Sequence, residues 1–238
     1  MTERDNLDHY LDTYQNDPFA DENQRGLQRF IDYCVEYRVS DRDYLELGIG
    51  HGVTLPVLSQ HFQHVTVLEG APRLVQAYRG RFANVAVVET YFEDYETTQR
   101  FDHIGLGFVL EHVADPAVIL QRYAALLNPN GRLLIGVPNA ASMHRWLAHR
   151  AGMLDDLRQL TPTDLAFGHK RLWTHDDWRR LLENNGLTIR RMHGLVLKPF
   201  TTLQLASLQL DPRIIRALDE LSGAYPELAN GLFIEASL

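Results

Sequence analysis

Three glycines at alternate positions follow a short apolar run, and they carry the clearest chemistry in the sequence. Residues 44–47 (Tyr-Leu-Glu-Leu) predict a strand, and Gly48, Gly50 and Gly52 come directly after it, before a predicted helix. A turn from strand to helix must bend sharply and let a ligand approach its backbone, which residues without a Cβ allow. The amino terminus of the following helix adds free N–H groups and a positive dipole end.

A carboxylate at the end of the next predicted strand, Glu69, lies 19 residues beyond Gly50. A carboxylate at this position can accept hydrogen bonds from both hydroxyls of a ribose. NAD-type and adenosyl-type ligands share that ribose, so Glu69 does not separate them. The glycine spacing separates the two ligand types, because the dinucleotide fingerprint G-x-G-x-x-G needs its third glycine where this chain has Val53. An NAD-dependent oxidoreductase is therefore the weaker interpretation.

The elements that must position these residues alternate along the chain. Short apolar runs are separated by helical patterns, which is typical of a parallel sheet covered by helices. Thr174 and Asp177 predict a capping box at the start of one of these helices. The runs predicted as strands lie at residues 44–47, 64–68, 85–88, 101–107, 132–137, 187–197 and 232–236.

Composition narrows the class of protein. The chain has 238 residues and a net charge of −8, and an acidic chain repels a phosphate backbone, so we do not expect a nucleic-acid partner. A single cysteine, Cys34, excludes an internal disulfide and a cysteine-only zinc site. The first residues carry no apolar signal core, and no apolar run approaches the ~18 residues of a membrane span. These features predict a cytoplasmic protein with no membrane partner.

No linker or repeat divides the chain, so we expect one domain over residues 1–238. Its first part, about residues 1–40, is amphipathic and predicts a helical lid. Residues 139–172 mix helical signals with polar loop and predict an insertion on the substrate side.

A series of motifs resembles one known family. Residues 46–52 (Glu-Leu-Gly-Ile-Gly-His-Gly) resemble motif I of class I S-adenosylmethionine-dependent methyltransferases. Further motifs follow in the family's order, and those at residues 101–104 and 109–113 resemble the strand-four motif of small-molecule members. The resemblance is clear over about residues 40–140 and weaker to residue 174. It implies an α/β fold with a Rossmann-like, doubly wound, seven-stranded, mostly parallel sheet and helices on both faces. The later motifs lie at residues 90–95, 101–104, 109–113, 127–133 and 137–139.

The same resemblance implies a set of residues that bind S-adenosylmethionine. Two positions depart from the family pattern, because Phe108 replaces a small residue and Tyr91 replaces a common aspartate. Phe92 and Glu93 would flank the adenine, and Tyr14 would close over the cofactor from the lid. The full implied set is Glu46, Gly48, Gly50, Gly52, Glu69, Gly70, Phe92, Glu93, Phe108 and Tyr14.

The implied reaction is an in-line displacement at the sulfonium methyl, in which the cofactor supplies the reactivity. The protein must align the reacting atoms, and a base is needed only for a protonated nucleophile. His169 and His112 are the candidate catalytic residues. A surface position for His169 and a packing role for His112 remain open alternatives.

Acceptor binding is predicted for four polar residues. Arg145, Lys170 and Arg171 can bind a carboxylate or phosphate of the acceptor, with solvated surface charge as the alternative. Asn139, at the exit of the fifth predicted strand, is the fourth. The spacings of the eleven histidines match no H-E-x-x-H or Cys/His array, so no metal site is predicted.

The sequence thus favours a methyltransferase that uses S-adenosylmethionine and acts on an oxygen or nitrogen of a small molecule. Three alternatives remain: transfer of the aminocarboxypropyl group or cyclisation with release of methylthioadenosine, NAD-dependent oxidation, and a module that binds the cofactor without catalysis. The acceptor and the oligomeric state are not determined by the sequence.

Overall fold

One mixed sheet organises the protein. The computed structural model describes residues 7–8 and 19–238. In this part of the chain seven strands are arranged in the order β3-β2-β1-β4-β5-β7-β6, and only β7 is antiparallel to its neighbours. The predicted α/β fold with a mostly parallel sheet is confirmed. The strands are β1 Asp43–Leu47, β2 His64–Glu69, β3 Val85–Glu89, β4 Phe101–Gly107, β5 Leu127–Pro138, β6 Thr188–Gly194 and β7 Gly231–Ser237.

Helices connect these strands and cover them. The first of them follows the predicted amphipathic stripe, since it buries Phe30, Ile31 and Cys34 completely. The described helices are α1 Ala20–Glu36, α2 Thr54–His61, α3 Pro72–Tyr78, α4 Pro116–Ala124, α5 Met143–Arg150, α6 Pro162–Ala166, α7 His175–Asn184, α8 Thr202–Ser207 and α9 Pro212–Ser222. None of them is long and apolar enough to cross a membrane.

Two apolar cores lie on the two faces of the sheet. Successive strand residues point to opposite faces, so Leu45 joins one core while its neighbour Tyr44 joins the other. The first core contains side chains of α4 and α7, including Trp178. The second contains side chains of α1 and α2, including Phe30. Helices on both faces keep the sheet rigid and leave its carboxyl edge free for ligands.

Strand β5 is longer than the sequence predicts. The Asn-Pro-Asn-Gly run at 128–131 predicts a turn before the strand, but the strand begins at Leu127 and continues through it. The pairing with β4 shifts there, from Phe101 opposite Leu127 to His103 opposite Arg132. The extra residues are therefore accommodated as a bulge, in which Asn130 takes the left-handed conformation with φ of 67°.

Side-chain caps begin several helices. The predicted capping box of α7 is confirmed, because Thr174 and Asp177 each bond the backbone of the other. The same arrangement begins α6 at Thr161 and Asp164, and it begins α8 at Thr201. The sequence did not predict α6 or α8, since helices of five and six residues show too few turns for an apolar stripe.

Candidate functional site

A pocket of about 940 Å³ opens at the carboxyl ends of the parallel strands. Its volume is that of a small-molecule or cofactor site. We call the part formed by the glycine turn with Glu46 and Glu69 the glycine-turn half. We call the part formed by Glu111, His112, Asp164 and His169 the histidine half. All these residues line the same pocket.

The glycine turn needs glycine for its backbone and for its packing. Gly48, Gly50 and Gly52 have φ of 84°, 51° and 70°, which side chains disfavour. A Cβ on Gly52 would overlap the hydroxyl oxygen of Tyr78. The turn can therefore hold this shape only with glycine, and the shape turns its backbone toward the pocket.

Glu69 ends β2 and braces the glycine turn. One carboxylate oxygen accepts the N–H of Ile49 at 2.9 Å, and the other accepts the N–H of Ala71 at 2.8 Å. Burial raises the pKa of Glu69, and these backbone hydrogen bonds oppose that rise. Each oxygen keeps a further lone pair, so the carboxylate can also accept hydrogen bonds from a diol in the pocket.

Glu46 lies on β1 directly below the turn and is 3% exposed. The hydroxyl of Thr54 donates to its Oε1 at 3.3 Å, and Oε2 lies beside the hydroxyl of Tyr44, where both face Gly105 of β4. Burial raises the pKa of Glu46 to about 8, and the hydrogen bonds with Tyr44 and Thr54 oppose that rise. A buried carboxyl below the turn is suited to a ligand that brings a positive charge or a donor.

Three residues predicted to bind the cofactor, two of them at the adenine, lie together at the ends of β2 and β3. Gly70, Phe92 and Glu93 all line the pocket, and the Phe92 ring is 3.7 Å from where a Cβ of Gly48 would stand. A Cβ on Gly70 would come within 3.3 Å of the Tyr91 ring. The predicted contact of Tyr14 lies outside the described residues.

Phe108 follows β4 in a conformation that is unusual for a phenylalanine. Its φ is 58°, and its N–H donates to the carbonyl of Gly136 at 2.8 Å. Its ring packs edge-on against Phe30, with ring centroids 6.4 Å apart, and it lines the pocket. Strained backbone of this kind tends to occur at functional sites. This bulky residue, which departs from the family pattern, also lies 3.5 Å from where a Cβ of Gly231 would stand.

The histidine half joins two distant segments. The N–H of Lys170 donates to the carbonyl of Glu111 at 2.9 Å and so ties the segment after α6 to the loop after β4. The rings of His112 and His169 meet edge-on, with centroids 5.0 Å apart. Both predicted catalytic histidines therefore lie in the pocket and next to each other.

Asp164 orients His169, with His169 Nδ1 3.2 Å from its Oδ1. Burial alone would lower the pKa of His169, but its hydrogen bond to the Asp164 carboxylate and the charge of Glu111 raise it. Burial opposes ionisation of Asp164 too, yet its hydrogen bonds with His169 and Thr161 lower its pKa to about 2. The sequence did not indicate a role for Asp164, although its capping-box spacing from Thr161 is a signal that could have placed it.

Two other titratable groups in this half have strongly shifted pKa values. Burial raises the pKa of Glu111 to about 7. Burial and the neighbouring His169 lower the pKa of His112 to about 3. Several shifted groups in one pocket are typical of a functional site.

The four predicted acceptor-binding residues have different surroundings. Lys170 is exposed and lines the pocket. Arg145 is buried, lines the pocket, and donates from its Nε to the carbonyl of Leu157 at 3.0 Å. Asn139 and Arg171 make structural contacts that the sequence did not predict. The predicted role of all four in acceptor binding stays a prediction.

Those structural contacts hold the loops around the pocket. The amide nitrogen of Asn139 donates to the carbonyls of Glu227 and Ala229, and its oxygen accepts the N–H of Ala141. The guanidinium of Arg171 donates to three carbonyls of the loop after β4, those of Leu110, Val113 and Ala114.

A buried ion pair on another wall of the pocket was not predicted from the sequence. Lys198 Nζ lies 2.6 Å from Glu22 Oε1, and Thr202 and Asn230 donate to the same carboxylate. The pair links α1 to the segment before α8, which are far apart in sequence. No local spacing could have indicated it.

The glycine-turn half fits S-adenosylmethionine by its own chemistry. The turn exposes backbone, Glu69 offers acceptors for a ribose, and the buried carboxyl of Glu46 in the pocket lining suits the positive charge that this cofactor carries. Glu46, Glu69 and the glycines would hold it, and it would supply an activated methyl group.

The sequence matches the family described as a methyltransferase domain over residues 19–191, which is most of the chain. The chain belongs to this family, and the resemblance to class I S-adenosylmethionine-dependent methyltransferases is confirmed. S-adenosylmethionine is accordingly the cofactor class of this fold and pocket.

Curated relatives carry one recurring name. A ubiquinone biosynthesis O-methyltransferase of Xylella fastidiosa is 35% identical over 101 residues, which cover 40% of this chain and 41% of that protein. The protein of the same name in Nitrobacter winogradskyi is 32% identical over 123 residues, which cover 47% of this chain and 41% of that protein. The chain thus spans about two fifths of the length of these relatives.

Solved structures share the fold at low identity. An S-adenosylmethionine-dependent methyltransferase from Mesorhizobium loti has a TM-score of 0.60 and 16% identity, and the match covers 86% of this chain and 95% of that one. The N-methyltransferase NodS of Bradyrhizobium japonicum, in complex with S-adenosyl-L-homocysteine, has a TM-score of 0.54 and 17% identity, over 92% and 87% of the two chains. Both confirm the fold.

Proposed function

We propose that this protein transfers the methyl group of S-adenosylmethionine to a hydroxyl oxygen of a small molecule. The observation that carries the proposal is the pocket, in which the glycine-turn half offers backbone groups and carboxylates and the histidine half offers ionisable side chains. The glycine-turn half suits the cofactor, and the histidine half suits an acceptor that must lose a proton.

Oxygen is favoured over nitrogen by the sequence relatives. The Xylella and Nitrobacter relatives, both above 30% identity, are named as O-methyltransferases, whereas the N-methyltransferase NodS shares only the fold. The family supports methyl transfer, and the names of these two relatives support the choice of oxygen.

The protein's contribution would be alignment and proton removal. Methyl transfer requires the nucleophile, the methyl carbon and the sulfur to be nearly collinear, and holding them so removes much of the entropic barrier. His169, held by Asp164, has the arrangement of a general base in the metal-free protein. The catalytic roles of His169 and His112 stay predictions.

Residues 139–172 contribute to the wall of the pocket on the side of the histidine half. We propose that they act as a substrate-side insertion of a single domain. Met153, Leu154 and Phe167 from this segment line the pocket, and Leu195 lines it from after β6. This lining favours an acceptor with an apolar part beside its hydroxyl group. The start of α1 lines the pocket at Glu22 and Gly26, which supports the proposed lid.

The test is incubation of the protein with S-adenosylmethionine and a panel of small phenols and alcohols, with matched amines as the comparison. We expect S-adenosylhomocysteine to form only when a hydroxyl acceptor is present. Methylthioadenosine formed without an acceptor would instead support the non-methyl alternative. Tight cofactor binding without turnover of any acceptor would support a non-catalytic module.

A further inference from the structure

Three side chains of metal-ligand type converge in the histidine half. Glu111, His112 and His169 each offer one ligand atom, and these atoms all lie within 4.8 Å of one another. Oε1 of Glu111 lies 4.0 Å from Nε2 of His112. The three residues come from two segments that are far apart in sequence, so no spacing motif could reveal them.

Outer hydrogen bonds hold both imidazoles in the orientation that a metal requires. Nδ1 of His112 lies 3.3 Å from the carbonyl oxygen of Gly168, and Nδ1 of His169 lies 3.2 Å from a carboxylate oxygen of Asp164. Both partners accept, so each Nδ1 donates and each Nε2 is left with its lone pair. Metal-binding histidines are fixed in this way by a carboxylate or a backbone carbonyl.

The Glu111 carboxylate gives an independent indication of a ligand. The residue is 1% exposed, and its Oε2 has no hydrogen-bond partner among the described residues. An unpaired carboxylate oxygen away from water is costly to the fold. A cation held between Glu111 and the two imidazoles would remove that cost.

We propose that Glu111, His112 and His169 bind one divalent transition-metal cation of the Zn²⁺ type. Two imidazoles and one carboxylate favour such a cation over Mg²⁺, which prefers oxygen ligands and water. Three protein ligands leave a coordination position open, as in catalytic zinc sites. Ligand atoms around zinc lie about 3.4 Å apart, so the side chains must close from their present separation of up to 4.8 Å.

The open position would face the pocket that the three residues line. There the cation can bind the acceptor's hydroxyl oxygen and lower its pKa, so that the O–H bond breaks and the proton passes to solvent water. A bound cation uses the same Nε2 of His169 that a general base would need, so it replaces the general base. This role in catalysis rests on the proposed function, whereas metal binding itself does not.

The experiment titrates chelator-treated, dialysed full-length protein with Co²⁺, without cofactor or acceptor, and follows visible absorption, with Zn²⁺ as competitor. We expect one equivalent to bind and Zn²⁺ to displace it. Affinity should fall at least tenfold in Glu111→Gln and in the double variant His112→Ala/His169→Ala. Loss of the outer hydrogen bond in Asp164→Asn should weaken binding about 10–100-fold.

His61→Ala is the matched control, because His61 is an exposed histidine at the end of α2. It should bind Co²⁺ as the wild type does. Calorimetry with S-adenosylhomocysteine checks that each variant keeps a folded pocket. The proposal is overturned if the wild type binds no Co²⁺, or if the double variant binds it as tightly as the wild type. Metal bound at the cluster without methyl transfer to any acceptor would refute the proposed function and leave the metal site standing.

Discussion

The two halves of the pocket are built in different ways. The glycine-turn half is made from one strand-turn-helix segment and the end of the next strand, and much of its ligand surface is backbone. The histidine half is made of side chains from the loop after β4 and from α6 with the segment that follows it, joined by the hydrogen bond between Lys170 and Glu111. The first half therefore follows from a local motif, and the second depends on how distant segments pack.

The difference also separates binding from chemistry. The backbone groups and the ribose-type carboxylate of the glycine-turn half recognise a ligand, whereas the adjacent imidazoles and carboxylates of the histidine half can also transfer a proton. Damage to the glycine-turn half should weaken cofactor binding. Damage to the histidine half should slow the reaction and leave cofactor binding unchanged.

The largest expected effect concerns the pH dependence of stability in the ligand-free protein. Burial raises the pKa of Glu46 from about 4.5 to about 8, so the folded state holds a proton that the unfolded state releases. Between these values the contribution of Glu46 to the free energy of unfolding should therefore fall by about 1.4 kcal/mol per pH unit as the pH rises. Urea denaturation at pH values from 5 to 8 measures the free energy of unfolding over this range.

Glu46→Gln is the variant that isolates this effect. Its side-chain oxygen can still accept from Thr54, but it does not titrate. The difference in the free energy of unfolding between the wild type and this variant should therefore change with pH over the same range. A difference that stays constant with pH would contradict the raised pKa of Glu46.

The next effect is on the rate of methyl transfer. His169→Ala should lower kcat about hundredfold, which corresponds to an increase of about 2.7 kcal/mol in the activation free energy. The variant lacks either a ligand of the proposed metal ion or the general base for the acceptor's hydroxyl group. The Kd of S-adenosylhomocysteine should stay within a factor of two or so, since the change lies in the histidine half. Steady-state kinetics and calorimetry measure the two quantities. A large loss of cofactor affinity with unchanged kcat would break the division between the halves.

A smaller effect is expected in the glycine turn. Gly52→Ala places a Cβ against Tyr78 at a φ of 70°, and it should cost about 1–3 kcal/mol of stability and weaken cofactor binding. Gly80→Ala is the matched control, because Gly80 has φ of 74° with nothing within 4 Å of its Cβ. Equal losses in the two variants would mean that backbone strain, and not the contact with Tyr78, explains the effect. Thermal melts and calorimetry give both values.

The smallest effect is expected for the ribose carboxylate. Glu69→Ala removes acceptors for the cofactor and for two backbone N–H groups, and it should weaken S-adenosylhomocysteine binding about tenfold. Glu89 pairs with Glu69 in the sheet register but is exposed, so Glu89→Ala is the matched control. Binding that is unchanged in Glu69→Ala would contradict the assignment of the glycine-turn half as the cofactor site.

Some elements could be predicted from local patterns, and others could not. The strand before Gly48, the carboxylate at Glu69 and the capping box at Thr174 each depend on residues close in sequence, and the structure has each of them. The bulge in β5 could not be predicted, because it arises from pairing with β4. Short helices such as α8 lack the repeated apolar spacing on which sequence prediction depends.

The sequence by itself determined the α/β class, the glycine turn and the family, because apolar periodicity and glycine conformation act over a few residues. Only the tertiary structure decided that Asp164 holds His169, that His169 lies against Glu111 and His112, and that Lys198 pairs with Glu22. Asp164 and His169 are only five residues apart, but the other contacts join segments far apart in the chain, and their geometry is fixed by the packing of whole helices and strands. The chemistry of the histidine half depends on that packing.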